Sequence, residues 1–157
     1  MDLYSKDMTI TEAKEILNWK YPKPYDFYNN ALSVDAMDEL LNGDYQAIFN
    51  RNDLLVGFFC VGKSAQVPAG SKIGVYKGNY IDMGLGMHPY LTGKGNGNTF
   101  CTYILNNIQE HYKTKSVRLT VATFNTRAIH LYKNLGFIKH QEFSNGSTNF
   151  ITMIHSE

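Results

Sequence analysis

MGLGMHPYLTGKGNGNTF, Met83 to Phe100, is the stretch on which the reading of this chain turns. It starts as an apolar strand, breaks at Pro89, passes through a glycine-rich turn and opens into a helix. The first N–H groups of a helix lack intrahelical partners and carry partial positive charge, so a helix start of this kind suits a phosphate. Gly93, Gly95 and Gly97 stand at alternate positions, and glycine lets a backbone approach a ligand with no Cβ in the way. This turn is neither of two other phosphate motifs. GKGNG lacks the G-x-G-x-x-G spacing of a dinucleotide site, and Lys94 is followed by Gly95 where a Walker loop has Ser or Thr.

Working outward, Tyr80 to Met87 reads as a strand, with Asp82, Gly84 and Gly86 on one face and Ile81, Met83, Leu85 and Met87 on the other. Two glycines beyond one carboxylate suggest an open slot beside an acid. The helix after the turn is expected over Gly95 to Tyr112, because Phe100, Ile104 and Ile108 recur on one face with Cys101 and Leu105 beside them. Ser116 to Ala122 alternates as a strand. The crossover rule makes it a parallel neighbour of Tyr80 to Met87. A helix over Thr126 to Leu135 stops at Gly136. Asn145-Gly146 then joins two closing strands.

Upstream, Asp2 to Lys6 reads as an edge strand. Thr9 or Thr11 caps a helix with Ala13, Ile16, Leu17 and Trp19 as its apolar face. Pro22 and Pro24 force an extended path through YPKPYDFYNN, where Tyr21, Tyr25, Phe27 and Tyr28 crowd together. That loop is read either as a lid over an acceptor site or as a loop packed onto the core. Ser33 to Asn42 reads as a second helix. Tyr45 to Asn50 and Leu54 to Val61 form a hairpin. The glycines at 70, 74 and 78 with Pro68 argue against a regular element over the next stretch. The order of elements predicts an α+β fold, a mixed and mostly antiparallel twisted sheet with helices on both faces.

The chain has 157 residues, 43% hydrophobic, which suits one domain over 1–157. Fifteen Lys and Arg stand against fourteen Asp and Glu, a net charge of +1, so the cationic surface of a nucleic-acid binder is absent. No apolar run is long enough to span a bilayer and no secretory signal opens the chain, so a cytoplasmic protein with no membrane partner is expected. Cys60 and Cys101 lie in apolar strings and read as buried hydrophobes. His111, His130, His140 and His155 lack metal-like spacing, so no metal is expected; His88 either contacts a phosphate or faces water.

With these residues set out, TGKGNG after a strand resembles motif A of the GNAT superfamily of N-acetyltransferases, Arg/Gln-x-x-Gly-x-Gly/Ala, with Thr92 where Arg or Gln is usual. NTRAIHLYKNLGF, Asn125 to Phe137, is similar to the second signature, Asn-x-x-Ala-x-x-Leu-Tyr-x-x-x-Gly-Phe. Asn125, Ala128, Leu131, Tyr132, Gly136 and Phe137 match it in type and spacing. The resemblance implies the GNAT fold and transfer of an acetyl group from acetyl-CoA to a primary amine of a peptide or small molecule. It also implies a monomer or homodimer, with the C-terminal strand FITMIH as a dimer element. The alternative is a non-catalytic acyl-CoA-binding module on the same fold.

The resemblance assigns the pyrophosphate to the backbone of Thr92, Gly93, Lys94, Gly95, Asn96 and Gly97, and the pantetheine arm to Leu85, Met87 and Asn125. The Met87 N–H is the candidate oxyanion donor. Tyr132 matches the family's general acid toward the leaving thiolate. Asp82 has two readings. It is the base that takes a proton from the amine, directly or through water, or it is a structural acid bonding nearby N–H groups.

Overall fold

Local chemistry sets most of the elements. The computed structural model describes residues 2–113 and 116–156. Among these the chain forms β1 (Leu3–Asp7), α1 (Ile10–Leu17), α2 (Val34–Leu40), β2 (Tyr45–Asn50), β3 (Leu55–Val61), α3 (Pro68–Lys72), β4 (Ile81–Met87), α4 (Gly97–His111), β5 (Val117–Ala122), α5 (Thr126–Asn134), β6 (Ile138–Ser144) and β7 (Asn149–His155). The strand order is β1-β2-β3-β4-β5-β7-β6. β4 and β5 pair in parallel, over Ile81↔Val117 to Met83↔Leu119, while β1–β2, β2–β3, β5–β7 and β6–β7 pair antiparallel. The fold is the mixed, mostly antiparallel α+β arrangement expected.

The chain divides into two compact units. The first spans 1–60 and 85–97. Its core gathers Ala13, Ile16 and Leu17 of α1 with Trp19 and Leu40, and Met8, Tyr21, Met37 and Phe58 pack against it. Trp19 lies one residue past the α1 C-cap yet is buried, so the apolar face outlasts the helix. The Ser33 hydroxyl caps α2 by accepting the Ala36 N–H at 3.1 Å.

The second unit spans 61–84 and 98–157. Phe100, Cys101, Ile104, Leu105 and Ile108 of α4 are buried, as their spacing requires, and so are Val117, Leu119 and Val121 of β5. A second cluster gathers Val75, Ala122, Phe143 and Phe150. The β6–β7 hairpin closes through Asn145, whose side-chain oxygen accepts the N–H groups of Ser147 and Thr148.

One expectation needs correction, and the strand FITMIH finds its place in the sheet. The glycine-rich stretch before β4 contains α3, a helix of five residues. Pro68 sits in its first turn, where a missing N–H costs nothing. Gly70 is a packing glycine there, since a Cβ would lie 2.9 Å from the Tyr76 ring and 3.0 Å from Phe143. The expected dimer strand FITMIH belongs to β7, which is paired on one side with β5 and on the other with β6. Its backbone edges are spent within the sheet.

Candidate active site

The start of β4 lies in the second unit. Asp82 is only 5% exposed, and both its oxygens are engaged. Arg118 of β5 donates from Nε to Oδ1 at 2.5 Å and from Nη2 to Oδ2 at 2.9 Å, and the Gln66 amide donates to Oδ2 at 2.8 Å. Arg118 is itself 1% exposed and donates further to the carbonyl of Lys77 at 2.7 Å. Its guanidinium carbon lies 5.2 Å and 5.0 Å from the ring centroids of Tyr76 and Tyr80. A fork of this kind matches a carboxylate in two parallel bonds. Asp82 is therefore one half of a buried ion pair that ties the segment before β4 to β5. Sequence alternation identified the acid but missed its partner. The signal was Arg118 itself, a charge set among Val117, Leu119 and Val121 in a buried strand.

The end of β4 lies in the first unit. Leu85, Gly86 and Met87 are all half-buried. Gly86 does not leave the open slot expected of it: a Cβ there would lie 2.4 Å from the Phe58 ring, so the ring occupies that space. The His88 N–H donates to the Val56 carbonyl of β3 at 2.8 Å. Successive N–H groups of a strand point to opposite edges, so the Met87 N–H faces away from β3. The Met87 carbonyl accepts the Tyr21 hydroxyl at 2.7 Å. Burial pushes the Tyr21 phenol up to about 12, so it stays protonated. The Tyr21 N–H donates to the Asn29 side chain at 2.7 Å, which fixes the loop after α1. The Tyr21–Met87 bond spans 66 residues of sequence and had no local signal. The His88 ring lies tilted against that of Trp19 with centroids 5.0 Å apart, and its Nδ1 accepts the Tyr90 N–H at 3.2 Å, a local role.

The turn follows in the same unit. Gly93 and Gly95 have φ of 68° and 81°, values that only glycine adopts readily. A Cβ on Gly95 would meet nothing within 4 Å, so the backbone faces open space. Gly93, Lys94 and Gly95 are exposed. Thr92 turns inward, its hydroxyl donating to the Pro89 carbonyl at 2.8 Å, and the Asn96 amide donates to the Leu91 carbonyl at 3.1 Å. These side chains brace the turn and leave the cradle to main chain. Gly97 opens α4, two residues later than the sequence suggests. A cradle with open space at its glycine and a fresh helix start fits a pyrophosphate.

In the second unit, Asn125 caps α5: its side-chain oxygen accepts the Ala128 N–H at 3.1 Å. Tyr132 is the buried residue of α5, with its ring 6.0 Å from that of Phe137. Gly136, at φ 99°, ends the helix and returns the chain so that the Phe137 N–H reaches the Tyr132 carbonyl at 3.0 Å. Cys101 is buried in α4, and burial pushes its thiol up to about 12, which suits a core residue and not a nucleophile. Among the described residues no group of three or more His, Cys, Asp or Glu is placed to hold a metal ion. No helix among them is long and apolar enough to cross a membrane.

The family profile described as acetyltransferase (GNAT) family matches residues 10–137. A search of curated proteins returns no match. Among solved structures, a spermidine N-acetyltransferase from Vibrio cholerae, in complex with CoA and spermine, superposes with a TM-score of 0.72 at 18% identity, over 98% of this chain and 94% of that one. A GNAT-family acetyltransferase from Bacillus anthracis does so with a TM-score of 0.72 at 12% identity, again over 98% and 94%. These two likenesses establish the fold. With most of its length matched by the family profile, the chain belongs to the GNAT acetyltransferase family.

Proposed function

We propose that the protein is an N-acetyltransferase that moves the acetyl group of acetyl-CoA directly to a primary amine. The observation that carries this reading is the turn before α4, with Gly93 and Gly95 at positive φ, open space at Gly95 and a helix start directly after. The main chain of Thr92 to Gly97 would hold the pyrophosphate there. Leu85, Met87 and Asn125 would hold the pantetheine arm. When bound, the cosubstrate supplies an activated acetyl thioester.

The residues of the chain do the rest. The Met87 N–H, on the edge of β4 away from β3, would stabilise negative charge as it builds on the thioester oxygen. The Tyr132 hydroxyl would give a proton to the leaving sulfur. For Asp82 we adopt the structural reading, because Arg118 and Gln66 occupy both of its oxygens. The attacking amine must be neutral. With reference values near 8 for an α-amino group and 10.4 for lysine, the rate should rise with pH through the neutral range.

The acceptor is read as cationic before it reacts. Between Lys23 and Arg51 the chain carries Asp26, Asp35, Asp38, Glu39 and Asp44 and no Lys or Arg, a charge that favours an amine over a polyanion. The Vibrio cholerae relative was solved with spermine, so a polyamine belongs in the test set.

The test is thiol release from acetyl-CoA with spermidine, a lysine peptide and a free peptide N-terminus. Turnover of at least one amine is expected, with Tyr132→Phe slower by about a hundredfold and cosubstrate binding kept. Binding without turnover on any amine would point instead to the non-catalytic module. A Tyr132→Phe enzyme as fast as wild type would remove Tyr132 as the acid.

A further inference from the structure

Tyr21 lies outside both signatures, yet its hydroxyl is bonded to the last carbonyl of β4 at 2.7 Å. In an extended strand the N–H and C=O of one residue point to the same edge. The Tyr21 hydroxyl therefore sits on the edge of β4 that carries the Met87 N–H. A phenol has one proton to give and lone pairs to accept with. The proton is committed to Met87, and among the described residues no donor reaches the oxygen. The Tyr21 N–H is held by the Asn29 side chain at 2.7 Å.

We propose that Tyr21 is an acceptor-positioning residue, whose hydroxyl oxygen accepts an N–H of the incoming amine while its own proton stays on the Met87 carbonyl. The inference rests on the acetyl-transfer reading above. As the C–N bond forms and the C–S bond breaks, the nitrogen becomes positive and its N–H bonds more acidic. One of these protons ends, net, on the departing sulfur. An acceptor fixed at the nitrogen therefore binds the transition state more tightly than the free amine. Met87 would serve both charges, its N–H facing the oxyanion and its carbonyl orienting the Tyr21 lone pairs. Burial keeps Tyr21 a neutral donor to Met87 throughout the working range.

The experiment compares wild type, Tyr21→Phe and protein carrying 3-fluorotyrosine at position 21. Each is assayed on the amine among spermidine, the lysine peptide and the peptide N-terminus that wild type acetylates fastest. Acetyl-CoA affinity is measured by calorimetry and the melting temperature is recorded. For Tyr21→Phe we expect kcat/KM for the amine to fall about tenfold, the worth of one hydrogen bond, with acetyl-CoA affinity unchanged. Fluorination separates the roles, because it makes the phenol a better donor to Met87 and a poorer acceptor. A positioning role predicts a lower kcat/KM in the fluorinated protein at an unchanged melting temperature. A merely structural role predicts wild-type or higher kcat/KM, and that outcome overturns the proposal, as does a Tyr21→Phe enzyme equal to wild type. If Tyr21→Phe does not fold, the fluorinated protein decides alone. Failure of wild type on every amine brings down the acetyl-transfer reading, and Tyr21's role with it.

Discussion

The two ends of β4 differ in how their polar groups are used. At the start, Asp82 is closed off: its oxygens are spent on Arg118 and Gln66, and both members of the pair are buried. At the other end, Leu85 to Met87 are half-buried, the Met87 N–H faces away from β3, and the next carbonyl is met by one tyrosine. A carboxylate on the strand before a glycine-rich turn invites a catalytic reading from sequence. The bonds from Arg118 and Gln66 are what support the structural reading of Asp82 instead. The less conspicuous end, with no ionisable side chain of its own, holds the groups we propose for chemistry.

The largest effect should come from breaking the closed end. Asp82→Asn leaves Arg118 buried without its counter-charge, and about 3–5 kcal/mol of stability should be lost in a urea titration. Asp82→Leu with Arg118→Met removes both charges and should recover most of that loss, since apolar replacement of a buried pair is often neutral. A single variant as stable as wild type would mean that the pair contributes little.

At the open end, Gly86→Ala places a Cβ against the Phe58 ring and should cost about 1–3 kcal/mol. Adding Phe58→Leu should restore part of it. Equal stability of Gly86→Ala and wild type would show that the ring yields freely, and that the glycine has another purpose.

The smallest effect concerns Tyr21. Its folded value, about 12, lies above the ordinary 10, so the folded chain holds the proton more tightly than the unfolded chain. That contribution is complete below pH 10 and is lost as pH rises toward 12. Wild type should therefore lose more stability over this window than Tyr21→Phe, in parallel denaturant titrations. Cys101 shifts in the same direction and affects both proteins alike.

Those features that are written locally were legible in the sequence. The Phe100, Ile104, Ile108 spacing set α4, Asn125 and Gly136 bounded α5, and Asn145-Gly146 closed the last hairpin. In the turn, Gly93 and Gly95 adopt the positive φ that glycine permits. Gly86 and Gly70 were misread for one reason. Each makes room for aromatic rings far away in the chain, Phe58 for one and Tyr76 and Phe143 for the other. Periodicity places a residue on a face without naming what lies against it. For the same reason the Tyr21–Met87 and Asp82–Arg118 bonds were out of reach, although a lone arginine inside a buried strand was a clue to the second.

The division between the two ends is tested most directly by the pH–rate profile of Asp82→Leu/Arg118→Met, measured by thiol release beside wild type. If Asp82 only holds structure, the folded double variant keeps a rate within a few-fold of wild type, rising with pH along the same curve. A folded double variant slowed by about a hundredfold, the usual worth of a lost general base, with the deficit largest at low pH, would put Asp82 back in the chemistry.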